Sequence, residues 1–354
     1  MTKGSHSDHS SSCCNHEKES RKRPWYQKQL FLTVLASLIL YLTSILFPVF
    51  RSFREAFKMY LAMIAWPVGL GFILGGLIDY YIPREYISKY LAGKKKRTIL
   101  YATGLGFLMT ACSHGILALS IELHKKGASG AAVVSFLLAS PWANLPVTFL
   151  LIGFFGWRGI IIILSALLIA IVTGLIFQVL AEKNLIEHNV HTLTTAHDFS
   201  IAKDIAKRFK GYQFTLENLK RDFLGITKGV YELAEMVLWW LLVGIVLASL
   251  ASAYVPAGIF HRFFGPSLLG LAMTLVAATV LEVCSEGTSP LAFEIYKQTG
   301  AFGNAFAFLM GGVVTDYTEV GLIWVNVGRK TALWMLVVTI PQVILLGWIF
   351  NQLL

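Results

Sequence analysis

The sequence predicts an all-α polytopic membrane protein built from two internal repeats, and three observations lead there. Mean hydropathy is +0.64 and only 14% of residues are charged, against about a quarter in ordinary soluble domains. Apolar runs lie near residues 29–50, 58–82, 128–155, 159–181, 230–255, 303–327 and 331–354, each long enough for a helix to cross about 30 Å of hydrocarbon. A Cys-Ser-x-Gly tetrad then occurs twice in apolar sequence, as Cys112-Ser113-His114-Gly115 and as Cys284-Ser285-Glu286-Gly287, 172 positions later.

The matching extends on both sides of the tetrads. Tyr81-Ile82-Pro83 pairs with Tyr254-Val255-Pro256, Gly71 with Gly244, Gly93 with Gly265, Gly127-Ala128 with Gly300-Ala301, Glu122 with Glu294 and Lys125 with Lys297. Seven runs read directly as spans. The stretches 98–124 and 267–297 are apolar but interrupted at the tetrads, so each is either a re-entrant hairpin or a broken span. Charge bias chooses between them. With both as hairpins and the N-terminus in the cytoplasm, 24 Lys and Arg fall inside and 6 outside; with both as full crossings the split is 16 to 14. Cytoplasmic loops collect Lys and Arg, which favours seven spans plus two hairpins over nine spans. Three crossings per repeat make the repeats inverted; the nine-span alternative makes them parallel.

The organisation expected is a disordered cytoplasmic tail at 1–25, an extra transmembrane helix within 26–54, repeat 1 at 55–182, a linker at 183–228 and repeat 2 at 229–354. No removable signal peptide is apparent, because the first residues lack an apolar core with a small-residue cleavage site. Within the linker, Phe199, Ala202, Ala206 and Phe209 share a helical face among Lys203, Lys207, Arg208 and Lys210, a pattern suited to the inner leaflet or to a solvated amphipathic helix. The net charge of +10 sits mostly in juxtamembrane segments, where it sets topology and meets anionic headgroups. Nucleic acid is therefore not an expected partner, whereas the bilayer is; a homo-oligomer is left open. Four cysteines in this distribution give no disulfide framework.

A chain that breaks its helix at membrane depth must do so inside protein or beside a wet cavity, so the tetrads mark a cavity. Gly115 and Gly287 allow the turn, Ser113 and Ser285 can bond freed backbone groups, and Cys112 and Cys284 offer soft thiolate ligands for copper(I), zinc, mercury or trivalent arsenic. The bland reading of each cysteine is a small packed hydrophobe. His114 and Glu286 are the further candidate ligands, with Asn144 in Ser140-Pro141-Trp142-Ala143-Asn144 as a substrate contact. Asp316, Glu282 and Glu319 are candidate proton carriers, since ionisable groups at lipid depth face a pathway or a partner. Glu122 and Glu294 read instead as hairpin-end carboxylates paired with Lys125 and Lys297 three residues on. Pro141 and Gly311-Gly312 can unwind the spans beside the site. In the tail, His6, His9, Cys13, Cys14 and His16 could capture soft metal but lack the spacing of a structural zinc site. No Walker-type loop, Gly-x-Ser-x-Gly elbow or dinucleotide fingerprint occurs, so no cofactor is expected and the chain reads as a transporter, not an enzyme.

Beyond the tetrads, Lys-Gly-Ala-Ser at 126–129, Phe-Leu-Leu-Ala-Ser-Pro at 136–141 and Ala-Phe-Gly-Asn-Ala-Phe-Ala-Phe-Leu at 301–309 resemble the predicted-permease family that contains the ArsP-type efflux permeases for trivalent organoarsenicals. Related members are linked to copper and zinc efflux or to organometal detoxification. The resemblance covers about residues 55–354. Many relatives carry Cys-Ser-Cys-Gly in the first half, whereas here His114 takes the third position and Glu286 its second-half counterpart, which moves the implied substrate from purely thiol-bound arsenicals toward metal cations or organometals. The reading is a proton-coupled efflux permease of the cytoplasmic membrane for a thiophilic metal, metalloid or organometal. Its alternatives are a permease or channel for another small solute with structural cysteines, and a membrane thiol oxidoreductase.

Overall fold

The computed structural model describes residues 29–81, 96–106, 113–125, 127–187, 189, 215–281 and 285–354. The helices are α1 (Gln29–Leu46), α2 (Arg51–Tyr81), α3 (Lys96–Gly106), α4 (Ser113–Lys125), α5 (Gly130–Ala143), α6 (Leu145–Phe155), α7 (Arg158–Glu182), α8 (Leu216–Tyr254), α9 (Ala257–Phe264), α10 (Leu268–Leu281), α11 (Ser285–Thr299), α12 (Phe302–Val314), α13 (Tyr317–Asn326) and α14 (Arg329–Leu353). No strand occurs among the described residues. An all-α membrane architecture follows, because helices satisfy their backbone groups without water.

Among the described residues six stretches are long and apolar enough to cross a bilayer: Gln29–Leu46, Pro48–Leu77, Arg158–Glu182, Lys220–Tyr254, Phe302–Asn326 and Arg329–Leu353. The pair α5 and α6, bent by 51° at Asn144, is long and apolar enough only if it is taken as one span. The pair α9 and α10 bends by 103°, too sharply for one crossing. Helix α9 buries Phe260 and exposes His261 and Arg262, as a short amphipathic helix at an interface does. The starts of α3, α4, α5 and α6 at residues 96, 113, 130 and 145 recur 172 positions later in α10, α11, α12 and α13, at 268, 285, 302 and 317.

Helices α2 and α8 form an antiparallel pair. Tyr254 Oη donates to Val49 O at 3.3 Å, a Cβ on Gly76 would meet Val230, and Tyr80 Oη donates to Asp222 Oδ1 at 2.8 Å. Helix α10 runs alongside and parallel to α12. Asn304 Nδ2 donates to Thr274 Oγ1 at 3.1 Å, and Thr279 and Thr315, both further along their helices, share a hydroxyl hydrogen bond of 2.6 Å. Helix α11 then returns antiparallel, turning into α12 through Gly300 with φ +70°. Helices α3, α4 and α5 repeat the pattern, with Thr103 and Ser135 hydroxyls 2.9 Å apart and the turn through Gly127 at φ +96°. Each interrupted stretch thus folds back on itself, with the tetrad opening its returning helix.

Helix α8 opens at Leu216, within the segment expected as the linker, with Thr215 Oγ1 accepting from Asn218 N at 3.4 Å. The spans expected at 128–155 and 303–327 are each two helices, separated at Asn144 and at Thr315-Asp316. The expected amphipathic face at Phe199–Phe209 and the tail at 1–25 lie outside the described residues.

The chain leaving α7 clasps both halves. Glu187 Oε1 accepts from Lys330 N at 2.8 Å, and Oε2 from Thr331 N and Oγ1, each at 3.0 Å, so a carboxylate sits on the N-terminus of α14, where the helix dipole favours it. Asn189 Nδ2 donates to Ala128 O at 2.8 Å beside the end of α4. Gly328 has φ +157°, and a Cβ there would press on Glu187 Oε2, 2.2 Å away. Burial pushes the Glu187 carboxyl up, but the hydrogen bonds from Lys330, Thr331 and its own backbone outweigh that and hold it below its ordinary value. A lowered folded value means that the clasp stabilises above about pH 4.5, the ordinary glutamate value, and is lost as acid titrates through the lower folded one. Glu187→Ala should cost about 1 kcal/mol near neutral pH, the usual worth of a helix cap, and the gap from wild type in thermal unfolding should close in acid below that value.

Candidate functional site

The breaks in the two bent spans are made by the local sequence. Pro141 lacks the N–H that would continue the ladder of α5, and Asn144 adopts φ −75°, ψ 149°, ending that helix and opening α6. Asn144 Oδ1 accepts from Val147 N at 2.8 Å and Nδ2 donates to Pro141 O at 3.3 Å. Asp316 does the same work in the second half, Oδ1 accepting from Thr318 N at 2.7 Å and Glu319 N at 3.0 Å. Both caps are buried. Positions expected to contact substrate or carry protons are therefore also the fixings of half-helix N-termini. Glu319, in the first turn of α13, is buried.

The descending leg of each hairpin ends beside one of these breaks. In the second half that is the Thr279 to Thr315 contact, and in the first a Cβ on Gly106 would lie 2.9 Å from Ser140 Oγ, one turn before Asn144. Beyond each leg the returning helix begins with the tetrad. Ser285 and Glu286 open α11 and are both buried; Ser285 Oγ donates to Glu286 Oε2 at 3.2 Å, while Thr288 and Ser289 hydroxyls return to Ser285 O at 3.1 and 2.8 Å. Ser113 and His114 open α4, but their side chains, with Cys112, Glu282, Cys284 and the tail residues His6, His9, Cys13, Cys14 and His16, lie outside the described residues. Among the described residues no three His, Cys, Asp or Glu come together to hold a metal ion. Around the break at Asn144, Trp142 Nε1 and Thr148 Oγ1 have no hydrogen-bond partner among the described residues, and buried polar atoms in that condition mark a site for water or ligand.

Close backbone approach brings these helices together. A Cβ on Gly71 of α2 would lie 2.7 Å from Pro146 Cα, and one on Gly244 of α8 would lie 2.2 Å from the carbonyl oxygen of Gly287, the tetrad glycine. Glycine is required at both contacts.

The carboxylate that sequence reasoning undervalued is Glu294. It does pair with Lys297, at 3.5 Å, as expected of a hairpin end. It is also fully buried, accepting from Tyr60 of α2 and from Gln298 Nε2 at 2.6 Å. Lys297 Nζ lies 5.6 Å from the Tyr60 ring centroid and 3.3 Å from Ser252 Oγ of α8. Phe293 stacks on Phe154 of α6 at 5.2 Å and meets Phe155 edge-on at 5.5 Å. Its counterpart Glu122 is exposed. The signal that could have found Glu294 is a tyrosine at the membrane depth of its own half, on the opposite repeat; spacing within the helix gave only the Lys297 pair.

The ArsP_1 model, described as "Predicted permease", matches residues 49–352. The chain belongs to this predicted-permease family. It is 27% identical over 70% of its length to a Streptococcus mutans protein named "Putative two-component membrane permease complex subunit", covering 77% of that protein. It is 23% identical to the UPF0718 protein YcgR of Bacillus subtilis, over 78% of this chain and 89% of the other. With "Putative permease Rv2963" of Mycobacterium tuberculosis the identity is 24%, over 66% of this chain and 60% of that one. No solved structure matches. As a family member with these spans, the chain is a multi-pass membrane permease.

Gly244→Ala should force α11 off α8 and cost about 1–3 kcal/mol, as overpacking does, seen as a lower unfolding temperature in detergent. Gly104→Ala, where nothing lies within 4 Å of the added Cβ, should leave it unchanged or raise it.

Proposed function

We propose that this permease is a secondary-active exporter of the cytoplasmic membrane for a thiophilic metal, metalloid or organometal, driven by protons, with its N-terminus in the cytoplasm. The observation that carries this reading is the meeting of each hairpin's descending leg with the break of a neighbouring span, at Ser140 and at Thr315. Those legs lead into Cys112 and Cys284. On this reading one thiol from each half lies near such a junction, the kind of place where inverted-repeat transporters build midplane substrate sites. Two thiolates bind soft cations, and His114 and Glu286, next along each tetrad, are adaptable partners that permit release. Asp316, Glu282 and Glu319 supply carboxylates for proton coupling.

One observation favours a second reading, transport of a small anion with cysteines that only pack. Helices α4, α6, α11 and α13 all begin at the hairpin tips or span breaks, and helix N-termini carry partial positive charge. Uptake into everted vesicles separates the two. On the thiophilic reading, a pH gradient drives accumulation of at least one of arsenite, methylated trivalent arsenic, mercury, copper or zinc, and Cys112→Ser with Cys284→Ser lowers it at least tenfold. Asp316→Asn, which keeps the cap, should abolish the response to the pH gradient while leaving the protein folded. Unaltered resistance of cells carrying the double serine variant, under every one of these challenges, rejects thiol-dependent export. The relative named as a subunit of a two-component complex suggests a second component here too; co-purification of the full chain from native membranes checks it.

A further inference from the structure

We propose that the described arrangement is one of two states, closed on one side by a latch of Tyr60, Glu294 and Lys297, and that the other state forms when α2 and α8 exchange helix partners. The inference starts from an asymmetry. Helices α2 and α8 are antiparallel counterparts, and the helix starts recur at one offset, so an undistorted two-fold in the membrane plane would give every contact of one half a copy in the other. The paired glycines break that rule. Gly71 of α2 touches Pro146 at the head of α6, whereas Gly244 of α8 touches Gly287 at the head of α11. The copies of these contacts would be Gly244 on Thr318, at the head of α13, and Gly71 on Gly115, at the head of α4. Among the described residues α2 packs along α6 and α8 along α11, with no comparable packing of α2 on α4 or of α8 on α13.

The result is one sealed side and one loose side. Helices α6 and α11 both run from the breaks toward the end where Tyr254 meets Val49, and there Tyr60, Phe154, Phe155, Phe293, Tyr296 and Phe302 interlock. Arg158 caps that cluster, 5.5 Å from the Tyr296 ring centroid, and Glu294 is buried within it. Helices α4 and α13 run the opposite way, toward the clasp made by Glu187 and Asn189, touch one another only lightly, and leave Glu122 exposed. In the exchanged state α4 seats on α2 and α13 on α8, Glu122 becomes buried and Glu294 reaches water. Sequence sets which state is preferred. Where the sealed side carries Tyr60, Phe154 and Phe293, the counterparts are Leu233, Asn326 and Ile121, so the loose side has less aromatic surface to close with. The counterpart of Ser252 is Asp79. A ligand shifts the balance between the two states by as much as its affinities for them differ.

The inference rests on the transport reading for its purpose, but its test does not use transport. Spin labels are placed at Trp157→Cys with Thr299→Cys, at the ends of α6 and α11, or at Ile121→Cys with Asn326→Cys on the loose side. Cys13, Cys14, Cys112 and Cys284 are all changed to Ser, and the full chain is held in lipid nanodiscs. Tyr60→Phe and Glu294→Gln each should lengthen the first distance and shorten the second, with the population ratio moving several-fold and in reciprocal amounts at the two pairs. Tyr60→Phe removes a single hydroxyl and serves if Glu294→Gln does not fold. Distances that stay single and unmoved at both pairs in both variants overturn the exchange. Reciprocal shifts in the labelled protein, with no uptake of any metal or arsenical by vesicles carrying the wild-type chain, support the exchange and sink the export reading; uptake by the wild-type chain with invariant distances does the reverse.

Discussion

The fold depends on one constraint: inside lipid, no backbone N–H or C=O can be left bare. A chain that interrupts a helix at mid-depth leaves several such groups exposed at each new end, and at the two described span breaks a side chain meets the new head. Asn144 Oδ1 and Asp316 Oδ1 accept from the heads of α6 and α13. The legs α3 and α10 lie against the breaks and keep lipid away. The same need that shapes the fold concentrates polar groups at one depth, so the place where the helices are weakest is also where a solute could be held.

Glycine sets how closely the parts approach. At Gly244 and Gly287 the backbones of α8 and α11 are nearly in contact, and at Gly71 those of α2 and α6. Small residues favour helix association in membranes, where there is no hydrophobic drive between helices, because close backbones gain dispersion contacts. Such a contact is also easily broken and remade. It interlocks no large side chains, so one glycine position can serve two different partners in the two halves.

Much of this was legible in the sequence. The tetrads, with Gly71 pairing with Gly244 and Glu122 with Glu294, align stretches whose helices begin 172 residues apart. What was not legible has physical causes. Pro141 and Gly311-Gly312 pointed to breaks near Asn144 and Asp316, but which residue caps each new helix is set by side-chain hydrogen bonds that composition does not show. The early start of α8 hides in a polar segment, because exposed helix positions tolerate charge. Glu294 read as a surface hairpin end because sequence spacing reveals only its own helix; Tyr60, 234 positions away, makes it an interior group.

The two halves match in shape but not in charge, and the difference lies at the caps. Asn144 is neutral and leaves the partial positive charge at the head of α6 uncompensated, whereas Asp316 places a carboxylate on the head of α13 and cancels the equivalent charge when ionised. The tetrads repeat the contrast, with His114 in the first half and Glu286 in the second. Anionic character thus collects on the second half, while the first keeps an uncompensated helix head. A soft cation held between the two tetrads would find its carboxylates on one side only, and protonating Asp316 or Glu286 would remove much of that attraction without moving a helix. Pseudo-symmetric geometry then supplies two comparable conformations, and unequal charge decides what each conformation holds.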